Sequence, residues 1–378
     1  MSGGADDGSG SSTGSGGGGT SSNGWTAIPL VNDGATQRVG NDLVSGIMMT
    51  AADKGYVVTQ GDGDSFEDGG AVFAVTGSAV SLAFSGKHGG PSLAGTIDFT
   101  GLEQTPTGVV AMAYSADVVR ADSADHFVVE KNGNLGGIEP VIGYRETASG
   151  VTLVRETGVV STSPQASGPG ASFTDVWAPD ASQPIPAALP ANECQGGPLG
   201  AGAPVLRSST YIGNGLIAYT AAPSFDPQIC ISKDGGRSFF PSLLVVPDDA
   251  SQNAPSGVMF SSAMNGITYW GSTTARPYIQ HTTDGGKTWT SVALPTAVAS
   301  HGLELEGAFF APDGQHGWTV GFDHDAHHAL GLSTTDGGAT WALVSGLGDA
   351  KLYSGFALDA THVWIGGDHG TLLTHTGS

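Results

Sequence analysis

Residues 281–290 read HTTDGGKTWT, and the same grammar returns without gaps as ISKDGGRSFF at 231–240 and STTDGGATWA at 333–342. In each, an aspartate can accept hydrogen bonds from backbone N–H groups inside a turn. The paired glycines supply positive φ at little steric cost, and a Ser or Thr hydroxyl satisfies a further backbone group. The closing aromatic (Phe239, Trp289, Trp341) begins the next strand and can cover the turn. Each segment is therefore a hairpin turn. Asp234, Asp284 and Asp336 stand 50 and then 52 residues apart, a period that holds several short strands and marks the blade of a propeller.

Working outward, one unit reads as four strands: LELEGAFFAP (303–312) innermost, HGWTVGF (316–322) second, HALGLSTT (328–335) third and TWALVSGL (340–347) outermost. Units starting near Val205 and Val258 follow the same order. In the first half, GIMMTAAD, GYVVTQGD, GAVFAVTG and AVSLAFSG give one blade, and GVVAMAYSAD, HFVVEKNG, EPVIGYRE and SGVTLVRE a second. Residues 156–202, rich in Pro and Gly, form either a degenerate extra blade or a long insertion. The expectation is an all-β fold: a β-propeller of four-stranded antiparallel blades, seven in preference to six, forming a single domain over 24–378.

The last unit supplies three strands, LYSGFALD (352–359), HVWIGGD (362–368) and GTLLTHT (370–376), and then ends. At the other end, GWTAIPL (24–30) has no partner upstream, because residues 1–23 are almost wholly Gly, Ser, Asp, Thr and Asn and cannot offset the entropy of ordering. GWTAIPL repeats the register of TWTSVALP (288–295). Trp25 is thus expected to close the last blade as its fourth strand, removing an exposed sheet edge.

Composition agrees: 61 Gly, 20 Pro and 13% charged residues, with short apolar runs, describe many strands joined by turns. A net charge of −22 repels phosphate backbones, which argues against nucleic acid. No apolar stretch reaches the roughly 18–20 residues of a membrane span. Cys194 and Cys230 are the only cysteines; they form one disulfide or remain two buried thiols. The Ser/Gly/Asp tract at 1–23 resembles the tether of mature bacterial lipoproteins, the other reading being an ordinary disordered terminus.

The pattern Ser/Thr-x-Asp-Gly-Gly-x-Thr/Ser-Trp/Phe resembles the Asp-box of the BNR family of β-propellers. That family includes sialidases, sortilin-type receptor domains, some glucan hydrolases, and photosystem II assembly factors with their bacterial relatives. The resemblance implies a structural role for Asp234, Gly236, Asp284, Gly286, Trp289, Asp336, Gly338 and Trp341. Second strands ending in Gly, such as HVWIGGD before GTLLTH, look most similar to the assembly-factor relatives. Sialidases need three arginines around a carboxylate and a tyrosine nucleophile; this chain has seven Arg, and the Arg-Ile-Pro type motif is absent.

In such blades the loops between second and third strands share a face with the blade-to-blade connections, around the mouth of the central channel. SFDP (224–227), TTARP (273–277), DHDAHH (323–328) and GDHG (367–370) fall there, with the connection carrying His301, Glu304 and Glu306. The ligand-binding candidates are Asp226, Arg276, His301, Glu304, Asp323, His324, Asp325, Asp368 and His369. Nine of eleven histidines follow residue 280, and His324, His327 and His328 are zinc-type ligands in a loop with carboxylates. DGDSFED (62–68) offers oxygens suited to calcium without the full spacing of a calcium loop. No cofactor is required by this reading; a divalent metal, zinc or calcium, is the one it admits. The expected function is a non-enzymatic, monomeric scaffold outside the cytoplasm, binding a protein or a glycan at an acidic, His-rich mouth. The alternative is a glycoside hydrolase using two channel carboxylates.

Overall fold

The computed structural model describes residues 24–30, 42–61, 69–86, 97–113, 118–122, 126–130, 140–155, 159–164, 172–177, 194, 209–212, 215–221, 228–244, 255–272, 275–298 and 302–377. They form seven four-stranded antiparallel sheets. The N-terminal strand is β1 (Trp25–Ala27), and the blades then follow in chain order. Blade 1 is β2 to β5 (Leu43–Ala51, Lys54–Gln60, Ala71–Thr76, Ala79–Ser85) and blade 2 is β6 to β9 (Phe99–Thr105, Gly108–Ala113, Val118–Ala121, Phe127–Glu130). Blade 3 is β10 to β13 (Val141–Thr147, Gly150–Arg155, Val160–Ser163, Thr174–Trp177) and blade 4 is β14 to β17 (Ser209–Ile212, Leu216–Ala221, Gln228–Ser232, Phe240–Leu243). Blade 5 is β18 to β21 (Gly257–Phe260, Gly266–Ser272, Ala275–Thr282, Thr290–Ser291) and blade 6 is β22 to β25 (Leu303–Phe310, Gly317–Asp323, His328–Thr334, Ala342–Leu343). Blade 7 is β26 to β28 (Leu352–Ala357, His362–Gly367, Leu372–Thr376) with β1 outermost. The first strand of each blade touches the first strand of the next, and β26 returns to β2, so the ring closes.

The apolar core lies in the seams between blades. Second strands are sandwiched within their sheet and pack on neighbouring blades with both faces, so they read as near-continuous apolar runs such as GYVVT in β3 and VWIGG in β27. The seam between blades 6 and 7 buries Phe309, Trp318, Val320, Leu352, Val363 and Ile365. Closure follows the expected register: Trp25 pairs with His375, Thr26 with Thr374 and Ala27 with Leu373, and Ile28 N–H donates to the Leu372 carbonyl at 2.8 Å. Trp25 is buried in the seam between blades 6 and 7, while Ile28 and Leu30 fill the one between blades 7 and 1. Trp341 stands one residue before Ala342, which pairs with Ser333, so it faces Thr334 in blade 6 as Trp25 faces His375 in blade 7.

The first half corrects the expected blade boundaries. GVVAMAYSAD and HFVVEKNG belong to blade 2, whereas EPVIGYRE and SGVTLVRE open blade 3. FTGLEQT (β6) had no apolar run to announce it, because its alternation is broken by a bulge between Phe99 and Gly101. Within 156–202, Val160–Ser163 and Thr174–Trp177 supply the outer half of blade 3, so this stretch is neither a separate blade nor an insertion throughout. Cys194 and Cys230 are bonded and buried, with Cα atoms 5.8 Å apart. The expected tail at 1–23 and the loop at 62–68 lie outside the described residues.

Candidate functional site

The three Asp-Gly-Gly turns share one geometry. In blade 5, Asp284 Oδ1 accepts from the Thr282 hydroxyl (2.9 Å) and from the N–H groups of Lys287 (2.9 Å) and Thr288 (3.0 Å), and Oδ2 accepts from the Thr288 hydroxyl (2.7 Å). The Gly286 N–H donates to the Thr282 hydroxyl at 2.9 Å. Asp234 and Asp336 repeat this with Ser232 and Ser238, and with Thr334 and Thr340. Asp336 is pulled down to about 2: burial acts upward, but the hydrogen bonds from Thr340 and Thr334 outweigh it. The second glycine has a further constraint besides its positive φ. A Cβ on Gly286 would lie 2.0 Å from Ile231 Cδ1 of blade 4, and one on Gly236 would lie 2.6 Å from Val160 Cγ1 of blade 3. These turns also dock on the first hairpin of their own blade, through Gly235 to the Gly215 carbonyl, Gly285 to Met264 and Gly337 to Gln315. They therefore sit at the end of the ring opposite the loops joining second and third strands.

At that opposite end, blades 6 and 7 build a cluster of charged side chains on their innermost strands. Both strands carry a bulge at the same level, between Leu305 and Gly307 in β22 and between Leu352 and Ser354 in β26. This places Glu304 and Glu306 in register with Lys351 and Tyr353. Lys351 Nζ lies 2.7 Å from Glu304 Oε2 and 2.8 Å from Glu306 Oε1, and His324 Nε2 lies 2.8 Å from the same Glu304 oxygen. Burial acts to raise the Glu304 carboxyl, yet the hydrogen bonds from Lys351 and His324 prevail and hold it below its ordinary value. Burial likewise acts to lower the Lys351 ammonium, and the two glutamates reverse this and raise it. Tyr353 lies under the Lys351 ammonium, 5.2 Å from ring centroid to Nζ, with its hydroxyl 3.5 Å from Asp368 Oδ2. Burial first, with the neighbouring Asp368 adding, pushes Tyr353 up to about 12 against the opposing Lys351 charge.

The predicted site residues divide accordingly. Glu304, His324 and Asp368 join this cluster. Asp323 instead caps its own turn, accepting from the N–H groups of Asp325 (3.0 Å) and Ala326 (2.9 Å), and Asp325 is placed beside Gly302. His327 and His369 adopt left-handed backbone conformations, φ 53° and 55°, at the tips of the two loops. His324, His327 and His328 are not gathered into a ligand set: His324 faces Glu304, and His328 Nδ1 faces its neighbour's carbonyl, Ala329 O, at 3.0 Å. Among the described residues no three His, Cys, Asp or Glu side chains are arranged to hold a metal ion. Arg276 belongs to a different place, stacked on Tyr278 of blade 5 with 5.9 Å from guanidinium carbon to ring centroid. Asp226 and His301 lie outside the described residues. Lys351 and Tyr353 were missed by sequence reasoning. The signal that finds them is alignment of the innermost strands at their bulges, ELEG (304–307) with KLYS (351–354), which brings Lys351 onto the level of Glu304 and Tyr353 onto that of Glu306.

Neither a protein-family model nor any curated protein sequence matches the chain. Solved structures do. YCF48 from Cyanidioschyzon merolae superposes with a TM-score of 0.64 at 12% identity, covering 93% of this chain and 99% of that one. YCF48 bound to D1 peptide gives 0.62 at 12% identity, with 94% and 98% covered. The GH74 xyloglucanase from Xanthomonas campestris gives 0.59 at 14% identity, with 93% of this chain and 53% of that one covered. At such identities the likeness is one of architecture, and the chain is a seven-bladed β-propeller.

Proposed function

We propose that this propeller is a non-enzymatic scaffold that binds a protein partner at the mouth formed by Glu304, Glu306, Lys351, Tyr353, His324 and Asp368. One observation carries the reading: the charges of the cluster pair with one another, Lys351 with Glu304 and Glu306 and His324 with the same Glu304 oxygen, across the innermost strands of two adjacent blades. A glycosidase needs a general acid raised toward neutral pH beside its ionised carboxylate, and Glu304, held low by Lys351 and His324, is not that acid. Interlocked charges on rigid innermost strands suit recognition, where oriented charge gives specificity and on-rate. That one structural neighbour is a propeller bound to a peptide is consistent with this use of the fold. The local hydrogen bonding of the three Asp-Gly-Gly turns supports membership of the Asp-box propellers. The buried disulfide suits an oxidising, extracytoplasmic compartment, with the tail at 1–23 as a tether and the chain as a monomer.

The test is a pull-down with the wild-type chain and with Glu304→Gln and Lys351→Met, alongside assays on a panel of β-glucans and sialosides. The expected result is a specific partner whose capture falls at least about tenfold in both variants, about 1.4 kcal/mol, with no glycoside turnover. Turnover lost in Glu304→Gln would replace the scaffold by a hydrolase.

A further inference from the structure

The seam between blades 4 and 5 carries buried polar groups that have no hydrogen-bond partner among the described residues. Blade 4 faces this seam with Leu216 and Ala218, which pack on Val258, Phe260 and Trp289 of blade 5. By strand alternation Thr220 of β15 points the same way. On blade 5, Ile267, Tyr269 and Ile279 face blade 6, so Thr268, Trp270 and Gln280 face blade 4. The lower half of the seam is thus apolar and the upper half polar.

The register fixes the heights. Ala218 pairs with Ile231 and Ile267 pairs with His281, and Ile231 and His281 each stand three residues before the aspartate of their turn. Thr220 therefore lies two residues above this common level and Trp270 three, at neighbouring heights on facing strands. Thr220 is 0% and Trp270 1% exposed. Neither the Thr220 hydroxyl nor the Trp270 indole N–H has a hydrogen-bond partner among the described residues. Thr268, on the same face as Trp270, is by contrast satisfied by the Gly257 carbonyl at 2.9 Å. Leaving two such groups dry is unfavourable, because each was hydrated in the unfolded chain. From Trp270 a ladder runs to Tyr278, with ring centroids 5.7 Å apart, and on to Arg276, both only half-buried.

We propose that the upper half of this seam is a binding site for an oxygen acceptor that takes the Trp270 N–H and the Thr220 hydroxyl. Water and the hydroxyl or carboxylate oxygen of a small solute share that chemistry. The site is independent of the cluster on blades 6 and 7.

Two measurements test it on the full chain. Thr220→Val keeps the shape of the side chain and removes its hydroxyl, and Trp270→Phe keeps an aromatic ring and removes the N–H. With a bound oxygen, Thr220→Val lowers the melting temperature by a few degrees; in a dry seam the same change leaves it unchanged or raises it, which overturns the proposal. A crystal structure grown without small organic solutes, followed by soaks in acetate and in glycerol, identifies the source. Density for a single oxygen about 3 Å from Trp270 Nε1 assigns water, and its replacement in a soak, abolished by Trp270→Phe, assigns a solute. No density in any of the three crystals overturns the site whatever Thr220→Val does.

Discussion

Blades 4 to 6 and blades 2 and 3 close the same end of the ring by different means. In blades 4 to 6 the third strand turns into the fourth over an aspartate whose partners all lie within four residues of it. Between blades 2 and 3 that end is held by Arg120, buried with Glu146 and Tyr144. Its guanidinium reaches Glu130 Oε2 at 3.0 Å, Glu146 Oε2 at 2.7 Å, the Tyr144 hydroxyl at 3.1 Å and the Thr105 hydroxyl at 3.1 Å, and it also donates to the Thr107 hydroxyl. The Thr107 hydroxyl in turn donates to Glu146 Oε1 at 3.0 Å. The first device is local and mostly solvated. The second joins strands of two blades in a buried site, so its members depend on one another.

The largest expected effect concerns the strand that joins the two ends of the chain. Deleting residues 24–30 removes Trp25, Ile28 and Leu30 from two seams, each buried side chain being worth about 1.5–3 kcal/mol. Urea unfolding should show a midpoint far below that of the full chain, and an unchanged midpoint would mean that β1 does not seal the ring. Next comes Arg120→Ala, which strands Glu146 and Glu130 in low dielectric and should cost about 3–5 kcal/mol. Thr334→Val should cost less, about 1–3 kcal/mol, since it leaves the buried Gly338 N–H without its acceptor and otherwise removes only the hydroxyl's local bonds to the part-buried Asp336. Thr282→Val should match it, because Gly286 N–H is bonded in the same way. If Arg120→Ala proved no more costly than Thr334→Val, the contrast between buried network and local turn would fail.

The smallest effect is in pH dependence, where the two regions should move in opposite directions. Asp336 has its folded pKa lowered to about 2, so its contribution is present above its unfolded value near 4 and is lost as pH falls toward 2. Glu103, on the innermost strand of blade 2, is raised to about 7, by burial foremost and against the attraction of Arg145. Its linkage has the other sign: the contribution is full below its unfolded value near 4.5 and is lost as pH rises through 7. Amide hydrogen exchange resolved by blade should show blade 6 losing protection below pH 4 and blade 2 losing it between pH 5 and 7. Parallel losses in both blades would remove the distinction.

What could be read in advance follows the same division. The turns at Asp234, Asp284 and Asp336 were legible because every hydrogen-bond partner of the aspartate side chain lies within four residues, and their spacing then gave the blade. Trp25 was legible because GWTAIPL repeats TWTSVALP. Blade 2 was misassembled because FTGLEQT hides its strand behind a bulge and VVRA is too short to stand out from its surroundings. Glu304, His324 and Asp368 were found from their loops and strands, but Lys351 and Tyr353 were not, since one lysine and one tyrosine carry no pattern until two innermost strands are laid side by side. The zinc-type grouping of His324, His327 and His328 had adjacency in sequence only; a tight turn sends neighbouring side chains in different directions.

By itself the sequence determined the strands of blades 1, 6 and 7, the three Asp-Gly-Gly turns, the repeat and the joining of the two ends, because each rests on hydrogen bonds and apolar periodicity within one hairpin or on likeness between hairpins. Only the tertiary structure decided which charges meet. Lys351 and Glu304 are 47 residues apart, and Arg120 and Glu146 are 26 apart; their encounters depend on the rotation between adjacent blades. That rotation is set by side-chain packing across the seams, which no local stretch of chain encodes.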